Sequence, residues 1–345
     1  MPEASEDRPR APGPDRDRPV RIAVDAMGGD NAPSVEVEGA AQAAAESDGS
    51  IEVVLVGRSD SVRPELAAHG RPDLPISVAH ADEVIEMGES PASAVRKKRG
   101  ASIVVATDLH KKGEVDGIVS AGNTGAVVAS TLLGLGMLPN VRRPAIASLF
   151  PTAKDPAVVL DVGASVDSKP SDLLEFAMMG DVFAHYVLGR KEPRVALMNI
   201  GEERSKGSEL TQQAYGLLSE GPLNFIGNVE GRSFLRGKAD VVVCDGFVGN
   251  VMLKLTEGVL DVLTSALSGD GQREALASLA RQLDYAEYGG APLLGVNGVV
   301  IIAHGSSSPK AIKNAIKVAA RFVDTDLNGK IVERLKGVVA ENGRV

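Results

Sequence analysis

The chain reads as an α/β protein built on a doubly wound, mainly parallel sheet, and three observations predict it. The strand candidates are continuous runs of Val, Ile and Ala without polar alternation, the pattern of strands buried on both faces. Segments of helical character alternate with them along most of the chain. Polar, glycine-bearing loops follow several strands, and open α/β sheets bind their ligands beyond the carboxyl ends of strands.

The opening segment, about residues 1–20, is dense in Pro, Arg, Asp and Glu with almost no large apolar side chain, and reads as a disordered tail. It lacks the central apolar block of a secretory signal. A first strand at Ile22–Ala26 runs into a loop containing Gly28, Gly29 and Asp30, where adjacent glycines let backbone N–H groups approach a bound anion or acyl group and Pro33 is placed to open a helix. That helix spans Ser34–Glu46, and strands follow at Glu52–Val56 and Ile76–Ala81. A strand at Gly117–Ser120 leads into a second such loop, Ser120–Gly125. Strands at Ala145–Phe150 and Val158–Val162 precede a helix over Asp172–Leu188, and a strand at Arg194–Ile200 precedes a helix over Ser208–Ser219. Strands at Asn224–Val229 and Val241–Cys244 follow, the second entering the loop Asp245–Asn250, and the final strand is Gly298–Ala303. Three similar loops after apolar strands predict one shared site. Length alone allows two domains, and the regular alternation also suits one large α/β unit over residues 21–345.

With 345 residues and 43% hydrophobic content the chain can bury a large core, and its mean hydropathy is close to zero. A net charge of −9 argues against a broad nucleic-acid surface, which needs clustered Lys and Arg. The single cysteine, Cys244, excludes an intramolecular disulfide and a cysteine-built metal site, as expected in a reducing cytoplasm. It sits in a Val-rich run, where a thiol behaves as a small buried hydrophobe. Neither a G-x-G-x-x-G after the first strand nor a G-x-x-x-x-G-K-[ST], H-E-x-x-H or G-x-S-x-G occurs, so dinucleotide binding, P-loop phosphoryl transfer and hydrolase chemistry lose ground. The five histidines lack ligand-like spacing, and neither metal nor cofactor is expected.

The runs Ile22–Pro33 (IAVDAMGGDNAP), Ser120–Ala126 (SAGNTGA), Leu160–Pro170 (LDVGASVDSKP), Asn199–Leu210 (NIGEERSKGSEL), Asn224–Glu230 (NFIGNVE), Val242–Asn250 (VVCDGFVGN) and Tyr285–Ser308 resemble, in matching order, the fatty acyl-(acyl carrier protein):phosphate acyltransferases of bacterial phospholipid synthesis, the PlsX family. The resemblance covers nearly everything after the tail. It implies conversion of an acyl thioester on acyl carrier protein plus inorganic phosphate into acyl phosphate and free carrier protein. It also implies a homodimer, a fold like that of isopropylmalate dehydrogenases and phosphate acetyltransferases, no metal, and a cytoplasmic protein in loose peripheral contact with the inner face of the cell membrane. The sequence departs from the family in its Pro-rich tail and at Ser165, where Asn is expected.

Phosphate is already an anionic nucleophile and a thiolate a fair leaving group, so this chemistry needs a cation to hold phosphate and donors for the developing oxyanion. Lys206 and Asn250 fit those roles, and in the family the matching Lys is catalytic. Lys206 precedes a helix opening at Ser208, whose N-terminus adds anion affinity; by itself it reads as a solvated loop lysine, with Arg204 competing for its task. Asn250 reads equally as a helix cap. Asn123 and Thr124 offer donors or ordinary turn chemistry. Asp25 and Asp30 orient the site or close the Gly28–Gly29 turn through Asx bonds. Asp161 and Asp245 end buried strands, where functional acids and simple caps both occur, and His304 reaches substrate or is structural.

Two surfaces stand apart. Val251–Leu267 places Met252, Leu255, Val259, Val262, Leu263 and Ala266 on one helical face, with Ala275–Leu283 following, and residues 251–283 are read as a helical hairpin that packs in a core or dimer interface or dips into a membrane surface. For the acidic carrier protein, the run Arg96, Lys97, Lys98 and Arg99 is the docking candidate, with Arg142 and Arg143 second, and a solvated helix face is the plain alternative. Competing functional readings are a short-chain phosphate acetyltransferase acting on coenzyme A, a dehydrogenase of related fold, and a non-catalytic membrane scaffold.

Overall fold

The computed structural model describes residues 18–266 and 289–342. The strands divide between two sheets. The larger contains β1 (Val20–Asp25), β2 (Ile51–Gly57), β3 (Ile76–His80), β4 (Gly117–Ser120), β5 (Ala145–Ile146), β11 (Ala291–Leu294) and β12 (Val299–Ile302), in the spatial order β3-β2-β1-β4-β12-β11-β5. The smaller contains β6 (Ser148–Phe150), β7 (Ala157–Leu160), β8 (Val195–Met198), β9 (Phe225–Val229) and β10 (Val241–Val243), ordered β6-β7-β10-β8-β9. The segment expected as one strand at 145–150 is split at Ala147, so β5 closes one sheet and β6 opens the other.

The mainly parallel α/β class follows the reading of the apolar runs. β4, β7, β8 and β10 are buried along their whole length, because helices cover both faces. In the larger sheet Ile22 and Val24 face the helices Ser34–Ala45 and Pro309–Asp324, while the alternate residue Ala23 faces the helix Ser102–Lys111. In the smaller sheet Val158, Leu160, Val241 and Val243 pack on the helices Pro170–Tyr186 and Glu209–Glu220. Their neighbours Val159 and Val242 pack with Phe234 and the start of the helix Gly246–Ala266. Each of these two cores runs under both sheets.

The strand β11 has no counterpart in the sequence reading. Glycines at 289 and 290 and Pro292 suppress the strand signal, since proline cannot donate to a ladder. β11 nevertheless pairs antiparallel with both β12 and β5, and the Pro292 carbonyl accepts from Ala147 N–H at 2.9 Å. Of the hairpin expected over 251–283, the helix Gly246–Ala266 is present and residues 267–283 lie outside the described residues. So does the tail up to residue 17; Arg18 is held by two bonds, at 2.7 and 2.9 Å, to the Asp116 carboxylate.

Candidate active site

Register places the site. Asp25 of β1 and Ile302 of β12 both lie opposite Ser120 of β4, so the loops leaving these three adjacent parallel strands emerge side by side. Gly28 is forced by this crowding, because a Cβ there would stand 2.6 Å from the Gly122 nitrogen. Asp30 N–H donates to the Gly305 carbonyl at 2.8 Å, joining the first loop to the one carrying His304.

The side chains in this group are largely committed to one another. Asp25 is buried and accepts from the Ser120 hydroxyl at 2.7 Å and from Met27 N–H at 3.2 Å; burial raises its carboxyl above the ordinary aspartate range, against the pull of these donors. Asn123 caps the helix Thr124–Gly134, its carbonyl accepting from Ala126 N–H at 3.1 Å, while its amide donates to the carbonyls of Glu86, Met87 and Glu89. The donor expected for substrate is thus spent on pinning the 86–89 loop. Thr124 is exposed at the first turn of that helix. His304 is exposed, its Nδ1 at 2.7 Å from the Ser306 hydroxyl. Glu36, in the first turn of Ser34–Ala45, is buried behind Gly29. Nothing in the sequence separates Glu36 from exposed Glu38 two residues on, and the reading of the sequence passes over it.

The third loop expected in the same cluster, Asp245–Asn250, leaves the smaller sheet. Val243 of β10 pairs with Leu160 of β7 and Leu197 of β8, so the loops after these strands bring Asp161, Asn250 and Lys206 to one end of that sheet. Asp161 is fully buried, and one carboxylate oxygen accepts from the N–H groups of Ile146, Gly163 and Ala164 at 2.9, 3.1 and 2.9 Å, the other from Ser165 at 2.6 Å. It is a loop organiser; a substrate contact is closed to it. Ser165 completes the turn through its hydroxyl, which donates to the Pro144 carbonyl at 3.3 Å. Gly249 packs directly against the Asp161 carbonyl, where no Cβ fits.

Asp245, also expected at substrate, caps the helix Gly246–Ala266 by accepting from Phe247 and Val248 N–H, both at 3.0 Å. The cap role considered for Asn250 is therefore filled by Asp245. Asn250 lies one turn into the helix, exposed, with its side-chain carbons and Oδ1 3.7 Å from the Cβ position of Gly163. Its amide has no hydrogen-bond partner among the described residues.

Arg204 and Lys206, the two candidate cations, differ in their surroundings. The Arg204 guanidinium lies over the Tyr215 ring at 5.5 Å, and Lys238 is paired with Glu202 at 2.7 Å. The Lys206 ammonium is exposed and has neither ion-pair nor hydrogen-bond partner among the described residues. Its loop is fixed instead through the backbone: Lys206 N–H donates to the Glu203 carbonyl at 3.1 Å, and the Asn199 amide donates to the Lys206 carbonyl at 3.1 Å. Ser208 caps the next helix by accepting from Thr211 N–H. Cys244 is buried against the Asp161 carbonyl and burial pushes its thiol up, so it is no nucleophile. Among the described residues no group of three or more His, Cys, Asp or Glu is placed to hold a metal.

Solved structures define the class of fold. A phosphotransacetylase from Streptococcus pyogenes is similar with a TM-score of 0.59 at 20% identity, over 88% of this chain and 93% of that one. A branched-chain phosphotransacylase from Enterococcus faecalis is similar with a TM-score of 0.57 at 14% identity, over 88% and 99%. The fold is therefore shared with phosphotransacylases. Sequence is more specific. The profile of the family described as "Fatty acid synthesis protein" matches residues 20–330. "Phosphate acyltransferase" of Heliobacterium modesticaldum is 51% identical over 335 residues, covering 93% of this chain and 99% of that protein, and the one of Geobacter sp. is 51% identical over 328 residues, covering 92% and 93%. The chain belongs to this family of phosphate acyltransferases, and is an acyltransferase of lipid synthesis.

Proposed function

We propose that the enzyme converts long-chain acyl-(acyl carrier protein) and inorganic phosphate into acyl phosphate and free carrier protein. The observation that carries this is the uncommitted pair at one end of the smaller sheet: a cation, Lys206, in the loop after β8, and an amide donor, Asn250, in the first turns of the helix after the adjacent strand β10, with neighbouring cations already engaged. A phosphate oxygen attacks the thioester carbon, the C–O bond forms, the C–S bond breaks, and the thiolate takes a proton from water. Lys206 holds the phosphate and offsets its charge; the Asn250 amide donates to the carbonyl oxygen as it becomes an oxyanion. No group in this scheme has to act as a covalent nucleophile. Release of free carrier protein from a long-chain acyl thioester, dependent on added phosphate, tests the reading. Turnover of acetyl-coenzyme A in preference would favour short-chain transfer, and no phosphate dependence with either donor would leave a scaffold.

Three further assignments belong to the same proposal. Residues 21–345 act as one domain, which the two cores running under both sheets support. Arg96, Lys97 and Arg99 are exposed and suited to an acidic carrier protein, whereas Lys98 is bound to Glu89 and the Val84 carbonyl and drops out of that surface. On the helix Gly246–Ala266, Val251, Leu255, Val259, Val262 and Leu263 are exposed, while Met252, expected on that stripe, packs with Leu253 on the core side. The stripe suits either the partner of a homodimer or peripheral contact with the membrane surface. Among the described residues no helix is long and apolar enough to cross a membrane.

A further inference from the structure

Behind the Gly28–Gly29 loop lies a carboxyl group that the proposed chemistry leaves unused. Glu36 is 1% exposed, and its Oε2 has no hydrogen-bond partner. Its other oxygen lies against Gly29 so closely that no Cβ fits there, and the N–H groups of Gly29 and Glu36 itself face the carboxyl. The charges that bear on it are those of Asp25, at the end of β1, and Asp30, in the loop, both negative. From the helix Pro309–Asp324, packed on the same helix, Ile312 meets Gly39, while Lys313 and Lys317 reach past it to Glu46 at the far end. Three carboxyl groups at one loop junction, one of them buried with an unpaired oxygen, cannot all ionise without strong repulsion.

We infer that Glu36 is a positioning residue whose proton holds the Gly28–Gly29 loop in the shape that accepts an anionic substrate, giving the enzyme an alkaline limit set inside that loop. In the neutral form one oxygen accepts from Gly29 N–H and the other carries the proton where no donor faces it. Ionisation places a third negative charge under backbone that must receive an anion. The chemistry is consistent with the energetics, since burial pushes the Glu36 carboxyl up to about 7. The inference rests on the proposed acyl transfer to phosphate and on the expectation, from its adjacent glycines, that this loop lies against the anion or acyl group.

The test measures kcat/KM for inorganic phosphate from pH 6 to pH 9, at fixed acyl carrier protein thioester, for the wild-type enzyme and Glu36→Gln. Glutamine keeps the acceptor for Gly29 N–H and cannot ionise, and the ionisation of phosphate itself is common to both enzymes. With a midpoint near 7, the protonated fraction at pH 8 is about one in ten, so the ratio of variant to wild type rises from near one at pH 6 to about tenfold at pH 8. Glu36→Met, which cannot ionise but offers no acceptor to Gly29 N–H, starts from a lower ratio at pH 6 and shows the same rise of about tenfold to pH 8 if the glutamine variant folds poorly. Parallel pH profiles in wild type and variants overturn the inference while leaving the acyl transfer reaction intact. Absence of phosphate-dependent turnover in the wild type at every pH overturns the reaction instead.

Discussion

Replacing Asp161 by Asn removes a charge and one acceptor from the most heavily bonded carboxylate at the smaller sheet's carboxyl end, a group that burial pushes up and its four N–H donors pull down. Its four N–H partners, at residues 146, 163, 164 and 165, tie β5 to the loop after β7. Asparagine keeps one oxygen, which can retain the three bonds to Ile146, Gly163 and Ala164 without their charge assistance. Its amide then points at Ser165 N–H, which stood 2.6 Å from the lost oxygen, and two donors face each other in a site of zero exposure. A hydrogen bond to a charged group contributes about 1.5–3 kcal/mol and an unsatisfied buried donor costs about 1–3 kcal/mol, so the substitution destabilises by about 3–5 kcal/mol. The loop must shift to relieve the clash, and Gly163, whose open Cβ direction faces the Asn250 side chain, carries that shift to Asn250. Urea unfolding followed by circular dichroism reads the first effect, and turnover under native conditions reads the second. A loss below about 0.5 kcal/mol with unchanged turnover would refute the reasoning, because solvated or redundant bonds alone behave that way.

Lys206→Ala leaves the unfolding midpoint unchanged, since the side chain is exposed and unpaired, but removes most acyl-phosphate formation. Lys206→Arg restores part of it, as a planar fork holds phosphate differently from a compact ammonium. Asn250→Ala lowers the rate by about two to three orders of magnitude, the usual loss for one preorganised donor, with stability nearly unchanged. Asp245→Ala does the reverse to the fold, losing about 1 kcal/mol with the helix cap, and urea titration of the two variants side by side separates these roles. Leu263→Glu, on the exposed stripe of Gly246–Ala266, releases the protein from vesicles with soluble turnover and oligomeric state unchanged if that stripe meets lipid. A shift to a smaller species in size-exclusion chromatography would instead place the stripe in a subunit interface.

By itself the sequence determined the class and most of the strands, though not β11 or the break at Ala147. Val, Ile and Ala runs such as Val241–Cys244 have no polar face, so they are stable only between two covering layers, and that condition is written in local composition. The place of Lys206, though not its role, was legible for a similar reason: a strand, a glycine-bearing loop and a serine cap in succession put a lysine near a helix N-terminus, while its assignment to phosphate came from the family resemblance. Which strands pair was not legible, because equally apolar runs carry no mark of their neighbours. The split of 145–150 between two sheets, and the placement of Asp245–Asn250 beside Asp161 and Lys206, came from long-range pairing alone. The roles of polar residues needed tertiary structure most of all. Asn123, Asp161 and Asp245 look like site residues in sequence and are consumed by backbone N–H and carbonyl groups, whereas Glu36 looks like a surface acid and is buried. Burial and hydrogen-bond partners decide the chemistry of a carboxylate or amide, and both are set by segments distant in the chain.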